Sequence, residues 1–88
     1  INEYVLDRLK MVPNPTYGTL EIISLSSSSE SYELKITNLS GQVLFSKTKI
    51  ATKKYDREKI DISLFPKGVY IVERKDDNKT LSKRLIKL

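Results

Sequence analysis

Very few side chains in this sequence could carry catalytic chemistry. Its 88 residues include no Cys and no His, which excludes disulfides, cysteine nucleophiles, Ser-His pairs and the common zinc sites. The run Asp76-Asp77-Asn78 lacks the alternate spacing and the glycine of a calcium loop, so it predicts a turn. We therefore expect no enzymatic activity, no metal and no cofactor.

The charged residues argue against a nucleic-acid site. Lys and Arg number 16 against 11 Asp and Glu, a net charge of +5, yet both signs interleave along residues 53–59, as on solvated strand and turn faces. The most concentrated basic cluster is Lys83, Arg84 and Lys87, with no acidic residue after Asp77. Two interpretations of this cluster stay open: contact with a partner, or the solvated outer face of an edge strand.

The sequence contains no apolar stretch long enough for a membrane span, and its first residues do not resemble a signal peptide. No apolar stretch approaches the roughly 20 residues that cross a bilayer, so we expect no stable membrane insertion. The start at Ile1 has neither an initiator Met nor a signal-peptide pattern. We expect a fragment of a longer protein, with any export signal upstream of it and with residues 9–88 forming one domain.

Short β-type runs separated by turn residues make up the chain. Strands are predicted at residues 9–12, 19–23, 32–37, 43–47, 59–63, 69–73 and 80–88. Tyr32, Leu34 and Ile36 alternate with polar residues and should share a buried face. Residues 69–73 are nearly all apolar, as in a central strand packed on both faces. The last strand should bury Leu81, Leu85 and Ile86.

Turn chemistry separates these strands. Pro13 and Pro15 end the first strand, whereas Gly41 and Gly68 should adopt positive φ in later turns. The serines at 26–29 predict a flexible surface connection, and residues 48–57 an exposed edge or crossover of uncertain structure. Seven short strands without a helix predict an all-β fold, an immunoglobulin-like antiparallel β-sandwich of about seven strands.

Four segments in a fixed order are more specific than the fold. They are Pro13-Asn14-Pro15-Thr16-x-Gly18, Ile36-Thr37-Asn38-Leu39-Ser40-Gly41-Gln42-Val43, Leu64-x-x-x-Gly68-Val69-Tyr70-Ile71-Val72 and the end, Lys83-Arg84-Leu85-Ile86-Lys87-Leu88. Together, over residues 9–88, they resemble the type A C-terminal sorting domain of type IX secretion cargo. The sequence departs from the family at Val12, where a Tyr or Phe usually precedes Pro-Asn-Pro.

The resemblance implies an address label without catalysis, carried at the end of a larger exported protein. It also implies that residues 1–8 are a linker from the upstream passenger domain. The implied partners are the outer-membrane type IX translocon and its shuttle proteins, a sortase-like cysteine peptidase that typically removes the domain, and the upstream passenger domain of the same precursor. The implied location is the periplasm, in transit to the cell surface or extracellular medium of a Gram-negative bacterium.

Matching positions give the recognition residues that the resemblance implies. They are Pro13, Asn14, Pro15, Gly18, Gly41, Gly68, Tyr70, Lys83, Arg84, Leu85, Ile86, Lys87 and Leu88. Turn geometry is by itself a sufficient reason for the prolines and glycines. The edge of the last strand offers backbone groups for strand addition by a partner or by a second copy. The alternative function is an adhesive or glycan-binding accessory module, which would depend on exposed aromatic residues.

Overall fold

The computed structural model describes residues 9–25, 31–50, 55–77 and 79–88. These residues form seven strands: β1 (Leu9–Val12), β2 (Thr19–Leu25), β3 (Ser31–Asn38), β4 (Val43–Ile50), β5 (Tyr55–Asp61), β6 (Gly68–Lys75) and β7 (Thr80–Lys87). One sheet has the order β1-β2-β5 and the other the order β4-β3-β6-β7. All neighbouring strands are antiparallel, and the described residues contain no helix. The all-β prediction is confirmed.

A single core lies between the two sheets. Tyr32, Leu34 and Ile36 are buried on one face of β3, as their alternation predicts. Residues of the other sheet, such as Leu20 and Ile22, belong to the same cluster. The full set is Leu9, Met11, Leu20, Ile22, Tyr32, Leu34, Ile36, Ile60, Ile62, Tyr70, Val72 and Leu85. Period-two alternation therefore determines most of the core.

The prediction that residues 69–73 are packed on both faces is wrong. β6 is a central strand, between β3 and β7, but only the face that carries Tyr70, Val72 and Arg74 is buried. Val69 and Ile71 lie on the opposite face and are half-buried. A continuous apolar run in an antiparallel sheet therefore does not require a second covering layer, because neighbouring strands already shield part of each side chain.

Burial along β7 also differs in part from the prediction. Leu85 is fully buried and Leu81 packs on the core, but Ile86 points to the opposite face and is 37% exposed. Lys83 and Lys87 are two residues from Leu85 on either side and so share its face. Lys87 is only 9% exposed. A solvated outer face is therefore the wrong interpretation for Lys87, whereas Arg84 does lie on that face.

Several strands are longer than predicted. β2 continues to Leu25, β4 to Ile50, and β5 begins at Tyr55 and ends at Asp61. The predicted crossover at residues 48–57 is thus strand at residues 48–50 and 55–57, which leaves residues 51–54. Those residues, the predicted linker at 1–8 and the serine connection at 26–29 lie outside the described residues.

Charged side chains of β4 and β5 contact one another at the margin of the core. Lys49 is paired across the sheet with the buried Tyr32, and Asp56 with the buried Ser24, so both charges lie on core-facing sides of their strands. Nζ of Lys49 is 3.2 Å from Oδ2 of Asp56 and 2.9 Å from Oε1 of Glu58. Nζ of Lys47 is 3.0 Å from Oε2 of Glu58. We name these four side chains the edge cluster.

Contacts within the edge cluster and with the neighbouring Tyr32 hydroxyl shift the pKa values of Asp56, Glu58, Lys49 and Tyr32. Burial by itself would raise the pKa of Asp56 and of Glu58. Hydrogen bonds from Tyr32 and Lys49 lower the pKa of Asp56, and hydrogen bonds from Lys49 and Lys47 lower that of Glu58. Burial would lower the pKa of Lys49, yet its carboxylate partners raise it. Burial and the hydrogen bond to Asp56 raise the pKa of Tyr32. Asp56, Glu58, Lys49 and Tyr32 are therefore held in the protonation states that they have near neutral pH.

A buried arginine completes the polar contacts within the core. Arg74 is 2% exposed, and its Nη1 is 2.7 Å from Oδ2 of Asp76. Its guanidinium carbon lies 4.4 Å from the centre of the Tyr32 ring, in cation-π geometry. Arg74 thus occupies a core position because a carboxylate and an aromatic face both compensate for its lost hydration.

Candidate recognition surface

Three loops lie at the same end of the two sheets because the strand register determines which strand ends meet. The relevant pairs are Thr19 with Asp61, Asn38 with Tyr70 and Gly68 with Lys87. Residues 13–18, 39–42 and 62–67, together with the end of β7, therefore share what we name the loop end. The chain enters β1 at the opposite end, where Leu9 pairs with Ser24.

The first loop lies along the outer edge of β7. Oδ1 of Asn14 accepts a hydrogen bond from the Ile86 amide at 3.0 Å, and Nδ2 of Asn14 donates to the Arg84 carbonyl at 3.0 Å. The Thr16 amide donates to the Ile86 carbonyl at 2.9 Å, and the Leu88 amide donates to the Thr16 carbonyl at 2.8 Å. We name these four hydrogen bonds the edge clip.

The local sequence explains why Asn14 and Thr16 make these contacts. Pro13 and Pro15 have no N–H to donate, are exposed, and follow cis peptide bonds. The edge clip therefore uses the residue between the prolines and the one after them. Thr16 is 1% exposed, and its hydroxyl donates to the Thr19 carbonyl at 2.8 Å, which fixes the return of the chain into β2.

Gly18 is required by a close approach between loops. Its carbonyl accepts a hydrogen bond from the Ile62 amide at 2.7 Å. A Cβ at this position would lie 3.3 Å from Cβ of Ser63, which is tighter than ordinary van der Waals contact. Gly18 thus joins the first loop to the third.

The other two glycines meet the predicted need for positive φ. Gly41 has φ 90° in the turn between β3 and β4, and Gly68 has φ 152° at the start of β6. Asn38 holds the Gly41 turn, since its Oδ1 accepts hydrogen bonds from the amides of Ser40 and Gln42 at 3.0 and 2.9 Å. Both turns are therefore set by backbone conformation.

Tyr70 contacts the third loop from the core side. It is 4% exposed, and its hydroxyl donates a hydrogen bond to the carbonyl of Pro66. The rings of Tyr70 and Phe65 have centroids 5.5 Å apart and planes inclined by 47°. Tyr70 can therefore position a surface loop, but its own side chain is not available to a large partner.

The structure brings the predicted recognition residues to the loop end and to β7, and it separates them by accessibility. The exposed ones are Pro13, Asn14, Pro15, Gly41, Gly68, Lys83, Arg84, Ile86 and Leu88, whereas Gly18 is half-buried and Tyr70, Leu85 and Lys87 are buried. The buried members can act on a partner only through the loops and strand that they support. The direct contact of any of these residues with a partner stays a prediction.

Sequence reasoning missed three exposed apolar residues at the loop end. They are Tyr17, Leu39 and Leu64, one in each loop, with exposed fractions of 78%, 72% and 95%. The available signal was an apolar residue one or two positions before the Gly or Pro of a turn, where burial in a core is not expected. The edge clip was also missed, because Asn14 and Ile86 are 72 positions apart.

Membrane helices and metal clusters are not found within the described ranges. None of these residues belongs to a helix long and apolar enough to cross a membrane. Within the same part of the chain, Asp and Glu nowhere gather in a group of three that could hold a metal ion.

Comparison with known proteins identifies the family. A search of curated protein sequences gave no match. The model of one protein family, described as the secretion system C-terminal sorting domain, matches residues 10–88. The match spans all four segments that carry the resemblance, including the edge clip, the glycine turns and β7. The chain belongs to the family of C-terminal sorting domains of type IX secretion.

Proposed function

We propose that residues 9–88 are a non-catalytic sorting signal that the outer-membrane type IX translocon and its shuttle proteins bind, and that a sortase-like cysteine peptidase then removes. The family itself gives the coarser function, a C-terminal type IX sorting signal that directs export to the cell surface or extracellular space. The observation that carries the proposal is the family match over residues 10–88. On this proposal the domain passes through the periplasm attached to its passenger.

The positions of the two ends support separate sites for recognition and for cleavage. The motif segments reach the loop end, whereas Leu9 lies at the opposite end of β1. We propose that residues 1–8 are a linker to the passenger domain and contain or adjoin the site of cleavage. A translocon bound to the loops would then leave the linker accessible to a peptidase.

Strand order supports the immunoglobulin-like assignment. The order β1-β2-β5 against β4-β3-β6-β7 corresponds to strands A-B-E facing C′-C-F-G. Sandwiches of this type present loops at both ends and can be recognised without a pocket. We propose that this domain is read in that way, through loops and strand edges.

The glycan-binding alternative has less support. Tyr32 and Tyr70 are buried, and among the described tyrosines only Tyr17 and Tyr55 are exposed. These two lie at opposite ends of the sheets, since Tyr17 is in a loop-end turn and Tyr55 begins β5. A sugar ring stacks on aromatic faces placed together, and the described residues do not provide such a platform.

Delivery of a reporter tests the proposal. Residues 1–88 are appended to a fluorescent protein that carries a signal peptide, and the fusion is expressed in a bacterium with type IX secretion and in a matched strain that lacks the translocon. We expect fluorescence at the surface or in the medium of the first strain and periplasmic retention in the second. Equal retention of a folded fusion in both strains would contradict the sorting function.

Deleting residues 83–88 would be an ambiguous control. The deletion removes Leu85, which is fully buried, and the strand partners of Asn14 and Thr16. Loss of delivery could then reflect unfolding. Substituting exposed residues, such as Arg84→Glu or Leu88→Ser, changes the same strand while leaving the core intact, and circular dichroism confirms that the variant is folded.

A further inference from the structure

We propose that Tyr17, Leu39 and Leu64 form a docking site that inserts into an apolar, acid-rimmed groove on a protein of the export machinery. This inference rests on the proposed function. It adds which surface of the domain the export machinery binds and what chemistry the binding groove has. It assigns recognition to side chains that are not among the recognition residues implied by the resemblance.

Exposure of apolar side chains is concentrated at the loop end. Among the described residues, nine large apolar side chains are exposed, and seven of these lie at that end. Besides Tyr17, Leu39 and Leu64, they are Val12, Val43, Ile86 and Leu88. Single exposed apolar residues need no explanation, but a cluster on neighbouring loops is typical of an interaction site.

Contacts within the loops restrain the backbone that carries these side chains. Each is adjacent in sequence to residues that the fold restrains: Thr16 is buried beside Tyr17, Asn38 caps the turn that carries Leu39, and Phe65 packs on Tyr70 next to Leu64. The Gly18 carbonyl joins the first and third loops through the Ile62 amide. An apolar residue on a restrained loop loses little conformational entropy on binding, which favours its use as an anchor.

Charge indicates the character of the partner. The three loops and residues 84–88 contain two exposed basic side chains, Lys67 and Arg84, and no exposed acidic one, and Asp61 directly precedes the third loop. The turn at the opposite end contains Asp76 and Asp77. Apolar anchors at the same end of the domain as these exposed basic groups fit an apolar groove with an acidic rim, and the complementary charges would orient the domain as it approaches. The preceding chain joins at Leu9, at the other end, so it does not obstruct docking.

Secretion of matched variants tests the docking site. The same fluorescent fusion carries Tyr17→Ser, Leu39→Ser and Leu64→Ser together, and the control carries Ile50→Ser, which changes an apolar side chain that is 67% exposed at the other end. We expect delivery of the triple variant to fall by about tenfold and that of the control to stay within about twofold of the unsubstituted fusion. Melting temperatures of all variants should agree within about 3 °C, since these are surface positions.

A second pair of variants tests the charge of the groove. Lys67→Glu with Arg84→Glu reverses two basic charges at the loop end, and Lys75→Glu with Lys79→Glu reverses two exposed charges at the other end. We expect the first pair to slow delivery by about tenfold and the second to leave it unchanged. Equal effects of the two pairs would show that only net charge matters and would overturn the acid-rimmed groove.

The outcomes separate this inference from the proposed function. If the unsubstituted fusion is delivered and the triple variant is delivered equally well, the docking site is wrong while the sorting function stands. If the unsubstituted fusion is itself retained although folded, the sorting function fails and the docking site with it. Flotation of the domain with vesicles of phosphatidylethanolamine and phosphatidylglycerol, lost in the triple variant, would assign the loop end to lipid and overturn the protein partner.

Discussion

Asn14 and Ile86 are 72 positions apart in the chain, yet the Ile86 amide donates a hydrogen bond of 3.0 Å to Oδ1 of Asn14. Nδ2 of the same side chain donates to the Arg84 carbonyl, also at 3.0 Å. One amide group thus takes the place of a neighbouring β-strand at the edge of β7. The two segments that carry the first and last parts of the family motif form one structural unit.

Removing the Asn14 side chain should destabilise the domain. Asn14→Ala deletes two hydrogen bonds of the edge clip, and we expect a loss of about 1–2 kcal/mol in the free energy of unfolding and a decrease of about 5–10 °C in the melting temperature. Asn14→Asp should lie between Asn14→Ala and the wild type, because it keeps the acceptor for Ile86. Thermal denaturation followed by circular dichroism measures both. Equal stability of Asn14→Ala and the wild type would show that the edge clip contributes nothing.

The two positive-φ glycines should be sensitive to substitution for conformational reasons alone. A Cβ at Gly41 or Gly68 would have no other atom within 4 Å, so steric clash is not the cause. We expect Gly41→Ala and Gly68→Val each to cost about 1–2 kcal/mol of unfolding free energy. Gly41→Asn should cost less than Gly41→Ala, because Asn tolerates positive φ better. Urea denaturation gives the order, and Gly41→Asn at or below the stability of Gly41→Ala would refute the explanation.

Acid should weaken the domain through the edge cluster. The pKa values of Asp56 and Glu58 are lowered in the folded state from ordinary values of 3.8 and 4.5. Their contribution is therefore present above the unfolded-state pKa values and is lost as the pH falls through the folded ones. We expect the midpoint of urea unfolding to decrease below about pH 4.5, and to decrease less in the Asp56→Asn, Glu58→Gln double variant. A wild-type profile no steeper than that of the variant would contradict this assignment.

High pH should also destabilise the domain, through Lys49 of the edge cluster and the Tyr32 hydroxyl that bonds Asp56. The pKa of Lys49 is raised from 10.5 and that of Tyr32 from 10.0. Their contributions are present below the unfolded-state pKa values and are lost as the pH rises through the folded ones. The stability profile should therefore be flat between about pH 5 and 9 and decrease at both ends.

A double-mutant cycle measures the edge cluster directly. Lys49 and Glu58 are 2.9 Å apart, with side chains 14% and 15% exposed. We expect a coupling free energy of about 1 kcal/mol between Lys49→Met and Glu58→Gln, at the upper end for surface pairs because both groups are mostly shielded. The control cycle uses Arg57→Met and Glu21→Gln, whose ion pair is more exposed at 60% and 26%. Coupling in the control equal to or above that of Lys49 and Glu58 would contradict the role of burial.

Proline substitutions in β7 should have unequal costs at neighbouring positions. The amides of Ile86 and Leu88 point outward to the first loop, so by the period of two the Ser82 amide points outward and the Lys83 amide points to β6. We expect Lys83→Pro to cost about 3 kcal/mol or more and Ser82→Pro much less. If the domain self-associates through this edge, Ser82→Pro should also make it monomeric, as light scattering would show. Equal costs would refute the assigned register.

Sequence patterns predicted the elements whose residues alternate or terminate clearly. Tyr32, Leu34 and Ile36 alternate with polar residues, and the structure buries them as expected. The sequence predicts the fifth strand only from residue 59, whereas β5 begins at Tyr55. Asp56 and Glu58 are charged at core-facing positions, and a strand with charges on both faces has the sequence pattern of a loop. The lysines of β4 and the Tyr32 hydroxyl, which the fold brings to the neighbouring sheet edge, explain why those charges are tolerated there.

The sequence predicts the turn conformations of the candidate site better than it predicts which of its side chains are exposed. Gly41 and Gly68 adopt the positive φ that their turns require. Tyr70 and Lys87 match the family pattern, yet both are buried, and a pattern of residue types does not distinguish support from contact. Leu64 is almost fully exposed at 95%, and its accessibility depends on how Phe65 and Pro66 fold over Tyr70, which is a tertiary effect.

The edge clip also imposes an order on synthesis. A ribosome makes Asn14 and Thr16 early, but their partners Arg84, Ile86 and Leu88 come near the end of this segment. The first loop cannot reach its final state while these residues are still inside the exit tunnel, and the same holds for the burial of Leu85. A prematurely terminated chain would thus lack a properly formed loop end. A cell that reads this surface would export only passengers whose translation has run through the last strand.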